Sequence, residues 1–158
     1  MSYDLAFVRK TAEQSWDEAL QGDDDASAEL PDHETWSAIV ADARRVLGDV
    51  AMHPSGGSYA MEHEPSGIEL HLYSNIATIT VPYWYKGADA ETVVRAMYDL
   101  GRIVERHTGL TGYDVQTESS LEEAAAHPEL AMANFDDVAA SFARRGISSP
   151  SNDRRPAA

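Results

Sequence analysis

The chain has 158 residues, 12 of them basic and 27 acidic, for a formal net charge of −15; 43% are hydrophobic and none is cysteine. That length suits one domain around one core, the charge repels phosphate backbones and anionic membranes and so argues against nucleic-acid or membrane partners, and the lack of cysteine excludes disulfides, thiol catalysis and cysteine-bound zinc. No apolar run approaches the ~18 residues of a membrane span, and the opening MSYDLAFVRK lacks the charged-then-apolar pattern of a signal peptide, so a cytoplasmic protein is expected.

Residues 3–9 set Tyr3, Leu5 and Phe7 against Asp4, Ala6 and Val8, the two-residue period of a strand. TAEQSWDEALQ follows with helical composition, and GDDDASAEL (22–30) reads as an acidic, solvated linker. Its three adjacent aspartates lack the alternating ligands, central glycine and distal glutamate of an EF-hand loop. Residues 32–47 read as a helix with Asp32 as N-cap, Trp36, Ile39, Val40, Ala43 and Leu47 on one face, and Gly48 as its stop. HPSGGS (53–58) reads as a turn-rich loop.

Three strands are expected next. In IELHLYSNIATITVPYWYKG (68–87) the apolar residues Ile68, Leu70 and Leu72 alternate with Glu69, His71 and Tyr73, and Ala77, Ile79 and Val81 alternate with Thr78 and Thr80. A two-residue turn at Ser74–Asn75 pairs Leu72 with Ala77, Leu70 with Ile79 and Ile68 with Val81, which puts every apolar partner on one face. In the preceding strand, SYAMEHE, a loop over residues 64–67 puts Tyr59 and Met61 on the buried face and Glu62 on the open one; a one-residue shift would bury Glu62 at a desolvation cost.

Residues 88–109 form the strongest helical pattern, with Val93, Val94, Met97, Leu100, Ile103 and Val104 as the core stripe and Gly109 at its end. Gly101 inside it costs about 1 kcal/mol relative to alanine and points to close packing against a strand. GYDVQT (112–117) reads as a last strand, Ser120 with Glu123 as a capping box, and Asn134 as the cap of a helix whose apolar side is Phe135, Val138, Ala139 and Phe142. The expected architecture is α+β, in the order β-α-α-β-β-β-α-β-α, with an antiparallel-rich sheet and the main helices packed on one face. It forms a single domain over 1–146, followed by a disordered tail, 147–158.

No P-loop, dinucleotide-binding glycine motif, nucleophile elbow or H-E-x-x-H helix is present. His63, Glu69 and His71 are the nearest approach to a metal grouping, but His63 faces away from the other two in this register, and one histidine with carboxylates falls short of a zinc ligand set. No metal or cofactor is expected. The aromatics Tyr83, Trp84 and Tyr85 either close the sandwich or anchor a partner at its rim. Asp4 and Asp114, each following a tyrosine, would approach one another if the first and last strands are neighbours.

SYDL at the start, ITVPYW in the middle, and TGYDVQT after the helix that ends in TGL resemble a group of small, mostly uncharacterised bacterial proteins. These carry an N-terminal Tyr-Asp-Leu and a late Tyr-Asp-Pro-Gln, and some look like immunity proteins of polymorphic toxin systems. This chain has Val115 at the place of that proline, and the resemblance brings no catalytic residue with it.

The expectation is a non-enzymatic, acidic protein-binding domain that masks a basic protein such as a toxin, as a monomer or homodimer. Its binding residues would be Glu62, Glu69, His71, Tyr73, Thr78 and Thr80 on the open face, with Tyr83, Trp84 and Tyr85 at the rim. Two alternatives stand beside it. One is a small-ligand-binding protein or small enzyme using Glu69, His71, Asp4 or Asp114 around a pocket next to the aromatics. The other is a regulatory subunit that dimerises through its sheet.

Overall fold

The computed structural model describes residues 2–21, 32–55, 58–73 and 76–146. The acidic linker 22–30, the turn residues Ser74 and Asn75, and the tail 147–158 lie outside the described residues.

The strands β1 (Ser2–Val8), β2 (Ala51–Ser55), β3 (Ser58–His63), β4 (Ile68–Leu72), β5 (Ile76–Pro82), β6 (Thr111–Asp114) and β7 (Ser119–Ser120) form one sheet in the order β2-β3-β4-β5-β1-β6-β7. All six pairings are antiparallel. The helices are α1 (Trp16–Gln21), α2 (His33–Leu47), α3 (Gly87–Thr108), α4 (Leu121–Ala126) and α5 (Pro128–Arg144). The fold is α+β, as expected, and none of these helices is long and apolar enough to cross a membrane.

The expected hairpin register holds. Leu70 opposes Ile79, Leu72 opposes Ala77, and the β3–β4 loop pairs Met61 with Leu70 and Tyr59 with Leu72. Alternation then separates the faces. Leu5, Leu70 and Ile79 have no exposed surface and pack with Trp36, Ile39 and Ala43 of α2 and with Val94, Met97, Leu100 and Val104 of α3. Asp32 caps α2 by accepting from the Thr35 amide, and Gly109 closes α3 in the left-handed conformation. His107 on α3 and Asp42 on α2 meet at 2.7 Å and tie the two main helices together.

β1 lies between β5 and β6, so the connection through α3 strides over it. Gly101 is placed at that crossing: a Cβ there would come within 3.2 Å of Phe7 on β1 and 3.0 Å of Leu121 on α4. Gly112 on β6 is tighter still, with Phe7 and the Leu121 Cβ both at 2.9 Å.

Four details differ from the sequence reading. Part of the segment 53–58, read as a turn-rich loop, belongs to the edge strand β2 (Ala51–Ser55), where a proline is tolerated because one side of the strand makes no ladder bonds. A two-residue strand, β7, closes the opposite edge. The last helix begins at Pro128, a favoured first helical residue, so Asn134 lies inside α5 rather than capping it. Ser120 does cap α4, accepting from the Glu123 amide. Finally, α1 is confined to Trp16–Gln21.

Candidate functional site: the polar sheet face and an adjoining cleft

The core-facing residues of β1, β4 and β5 meet α2, α3, α4 and α5 on one side of the sheet. Phe135 of α5 stacks on Tyr3 with ring centroids 5.3 Å apart, so the C-terminal helix joins the same side. The opposite face is built from two parallel rows that can be read off the register. One runs His53, Ala60, His71, Thr78, Ala6 and Tyr113; the other runs Ala51, Glu62, Glu69, Thr80 and Asp4. At the β6 end of this face Trp16 of α1 lies over Tyr113 at 4.6 Å between centroids. Lys10 sits 5.2 Å from the Trp16 ring.

Most of the proposed open-face residues therefore share one surface. Glu62, Glu69, His71, Tyr73, Thr78 and Thr80 are all half-buried between their strand neighbours. Glu62 and Glu69 are direct cross-strand partners, and Asp4 stands one strand beyond Thr80 in the same row. Like charges directly opposite one another on a sheet destabilise it. Two histidines flank the pair: His53 Nε2 lies 3.4 Å from Glu62, and His71 Nε2 lies 3.6 Å from Glu69. His53 is not legible in the sequence, because Pro54 and the glycines that follow it give its segment the signals of a turn. Among the described residues no three or more histidine or carboxylate groups converge to hold a metal ion.

The aromatic triplet divides. Tyr83 is corrected from a rim residue to a core residue: it is 8% exposed, packed edge-on to Tyr3 at 5.9 Å and tilted against Phe135 at 5.0 Å. Burial, together with the nearby Asp4 and Asp114 carboxylates, pushes its hydroxyl up to about 12. Trp84 stays at the rim, where it lies with Pro82 against Gly67. Tyr85 is half-buried on the helix side and donates its hydroxyl to the Ser66 carbonyl.

Asp4 and Asp114 do sit on neighbouring strands, since Leu5 pairs with Asp114, but alternation sends them to opposite faces. Asp4 belongs to the polar face. Asp114 is wholly buried and accepts four hydrogen bonds: from the Tyr3 hydroxyl at 2.6 Å, the Tyr98 hydroxyl at 2.7 Å, and the amides of Gln116 and Thr117 at 3.0 and 3.1 Å. Burial, and for Tyr3 the hydrogen bond to this carboxylate, raise both tyrosine hydroxyls far above their ordinary range. The group is a structural knot joining β1, α3 and β6, and it does not form an acid–base pair with Asp4.

A cleft of about 260 Å³ lies beside Tyr85, as the small-ligand reading required, but on the helix side. Its lining includes Leu47, His63, Ser66, Tyr85, Asp89 and Thr92, and none of Glu69, His71, Asp4 or Asp114. The hint available in the sequence was the i, i+3 pair His63 and Ser66, which brackets the β3–β4 turn.

No family model, curated protein or solved structure matches the chain.

Proposed function

We propose that the protein is a non-enzymatic binding domain whose polar sheet face takes up a cationic surface of another protein, in the manner of an immunity protein that masks a basic toxin. The observation that carries this reading is the row Glu62, Glu69, Thr80, Asp4. Three carboxylates sit on a sheet face opposite the main helices, and two of them oppose each other directly at a cost to the fold. Lysine or arginine groups placed over the row would remove that repulsion, and the chain's net charge of −15 would steer them in. Tyr73 and Trp84 at the margins supply apolar contact of the kind that anchors interfaces.

Titration of ¹⁵N-labelled protein with an oligolysine peptide at low salt tests the placement. The proposal expects amide shifts concentrated on β3, β4 and β5 and reduced by Glu62→Gln and Glu69→Gln. Shifts that avoid these strands, or that ignore both substitutions, would count against it.

A further inference from the structure

A second groove, of about 340 Å³, lies at the β2 edge of the sheet, between α2 and the strands β2 and β3. One wall is a stripe of α2 formed by His33, Trp36, Ser37, Val40 and Arg44. Residues that recur every three or four positions share one helix face, and at 1.5 Å per residue the stripe runs for about 16 Å. The other wall is Tyr59 of β3 and Met52 of β2. Tyr59 stacks on Trp36 with centroids 5.2 Å apart and planes 10° from parallel, and His33 meets Tyr59 edge-on at 6.3 Å. Met52 opposes Met61 and so points to the helix side, yet it stays 51% exposed. The volume falls inside the roughly 300–1,000 Å³ of small-molecule sites, and the aromatic and thioether surfaces suit a flat apolar body.

The charge of this groove is the reverse of the chain's. The whole sequence carries −15, but the described lining holds no aspartate or glutamate, and its one permanent charge is Arg44. The neighbouring Arg45 is paired with Asp42 at 3.3 Å. Arg44 takes part in no ion pair among the described residues. Ser37 adds a hydroxyl on the same wall. His53 adjoins the groove, but strand alternation turns its side chain to the polar face, where its Nε2 lies 3.4 Å from Glu62. A guanidinium presents a planar fork of N–H donors and no acceptor, which matches a carboxylate and rejects an ammonium group.

From this geometry we infer that the groove binds a small aromatic carboxylate, its ring against Trp36, Val40, Met52 and Tyr59 and its carboxylate on Arg44. An amine of the same skeleton would meet the Arg44 charge and would find no carboxylate among the described lining residues. The chain's overall field favours the amine, so a preference for the anion has to come from the groove itself.

The test uses 2-naphthylacetate and 2-naphthylmethylamine as probes, titrated into the ¹⁵N-labelled full chain at 150 mM salt. Naphthylacetate is expected to shift the amides of Trp36, Val40, Arg44 and Met52 in a saturable way, with the amine at least tenfold weaker. Arg44→Gln should weaken the carboxylate about tenfold. Arg45→Gln removes the same charge one residue away, outside the described lining, and should leave its affinity unchanged. Ser37→Trp, which fills the groove without altering any charge, should abolish the site. Equal or tighter binding of the amine would overturn the inference, as would equal weakening by Arg44→Gln and Arg45→Gln. So would carboxylate shifts that survive Ser37→Trp, or an absence of saturable shifts at these amides.

Discussion

Glu62 on β3 and Glu69 on β4 are direct cross-strand partners on the sheet face opposite α2 and α3, with side chains 30% and 46% exposed. A fold selected for stability alone gains nothing from such a pair. Glu69→Gln is expected to stabilise the isolated protein by about 0.2–1 kcal/mol, because it removes the cross-strand repulsion; the exposed contact to His71 that it also loses is worth little. Urea melts at low salt measure this. A clear loss of stability would mean that the row has a structural role.

The two faces of the central hairpin should answer differently to truncation. Leu70 and Ile79 oppose each other with no exposed surface, so Leu70→Ala and Ile79→Ala should each cost about 2–5 kcal/mol. Thr78→Ala, in the neighbouring position on the polar face, should stay within about 0.5–1 kcal/mol. Equal losses in denaturant melts would show that both faces are packed.

The buried carboxylate sets a third expectation. Tyr98→Phe removes one hydrogen bond to a charged group and should cost about 1.5–3 kcal/mol. Asp114→Ala leaves the Tyr3 and Tyr98 hydroxyls and two amides without their acceptor, and at about 1–3 kcal/mol for each buried group the loss should be at least 3 kcal/mol. If Asp114→Ala proves as mild as Tyr98→Phe, water or a neighbouring group must take over as acceptor.

These cases also show how far residue order alone could lead. The hairpin register was legible because strict alternation and a two-residue turn admit a single pairing that keeps Leu70 and Ile79 together. Asp32 and Ser120 were legible as caps because their partners lie three residues away. β2 was hidden because Pro54 and the following serine and glycines carry turn signals, and only its place at the sheet edge makes the proline harmless. The fates of Tyr83, of Asp114 and of the cleft depend on what α5 and α3 bring over the sheet. Tyr83 pairs with Phe135, Asp114 bonds Tyr98, and the cleft lining joins His63 with Thr92 and Ala96, juxtapositions of residues too far apart in the chain for any local pattern to reveal.

Acid should weaken the fold partly through His63. Burial lowers its folded pKa below the unfolded value of about 6.5, so between the two values the unfolded chain binds more protons and stability rises with pH. This contribution is complete above about pH 6.5 and is lost as the pH falls through the depressed folded value. Thermal melts at pH 7.5 and pH 5 should therefore show a smaller acid-induced drop in Tm for His63→Gln than for the wild type. An identical drop in both would indicate that His63 is solvated in the fold.

The central claim is that the polar sheet face, and not acidity in general, receives a basic protein. Affinity capture from native lysate at low salt tests it with three baits: the wild type, the Glu62→Lys/Glu69→Lys variant on the face, and a charge-matched Asp99→Lys/Asp137→Lys variant on α3 and α5. The account predicts that a basic protein is retained by the wild type and by the helix-side variant and is lost from the face variant. Equal retention by all three baits, or loss from the helix-side variant alone, would contradict it.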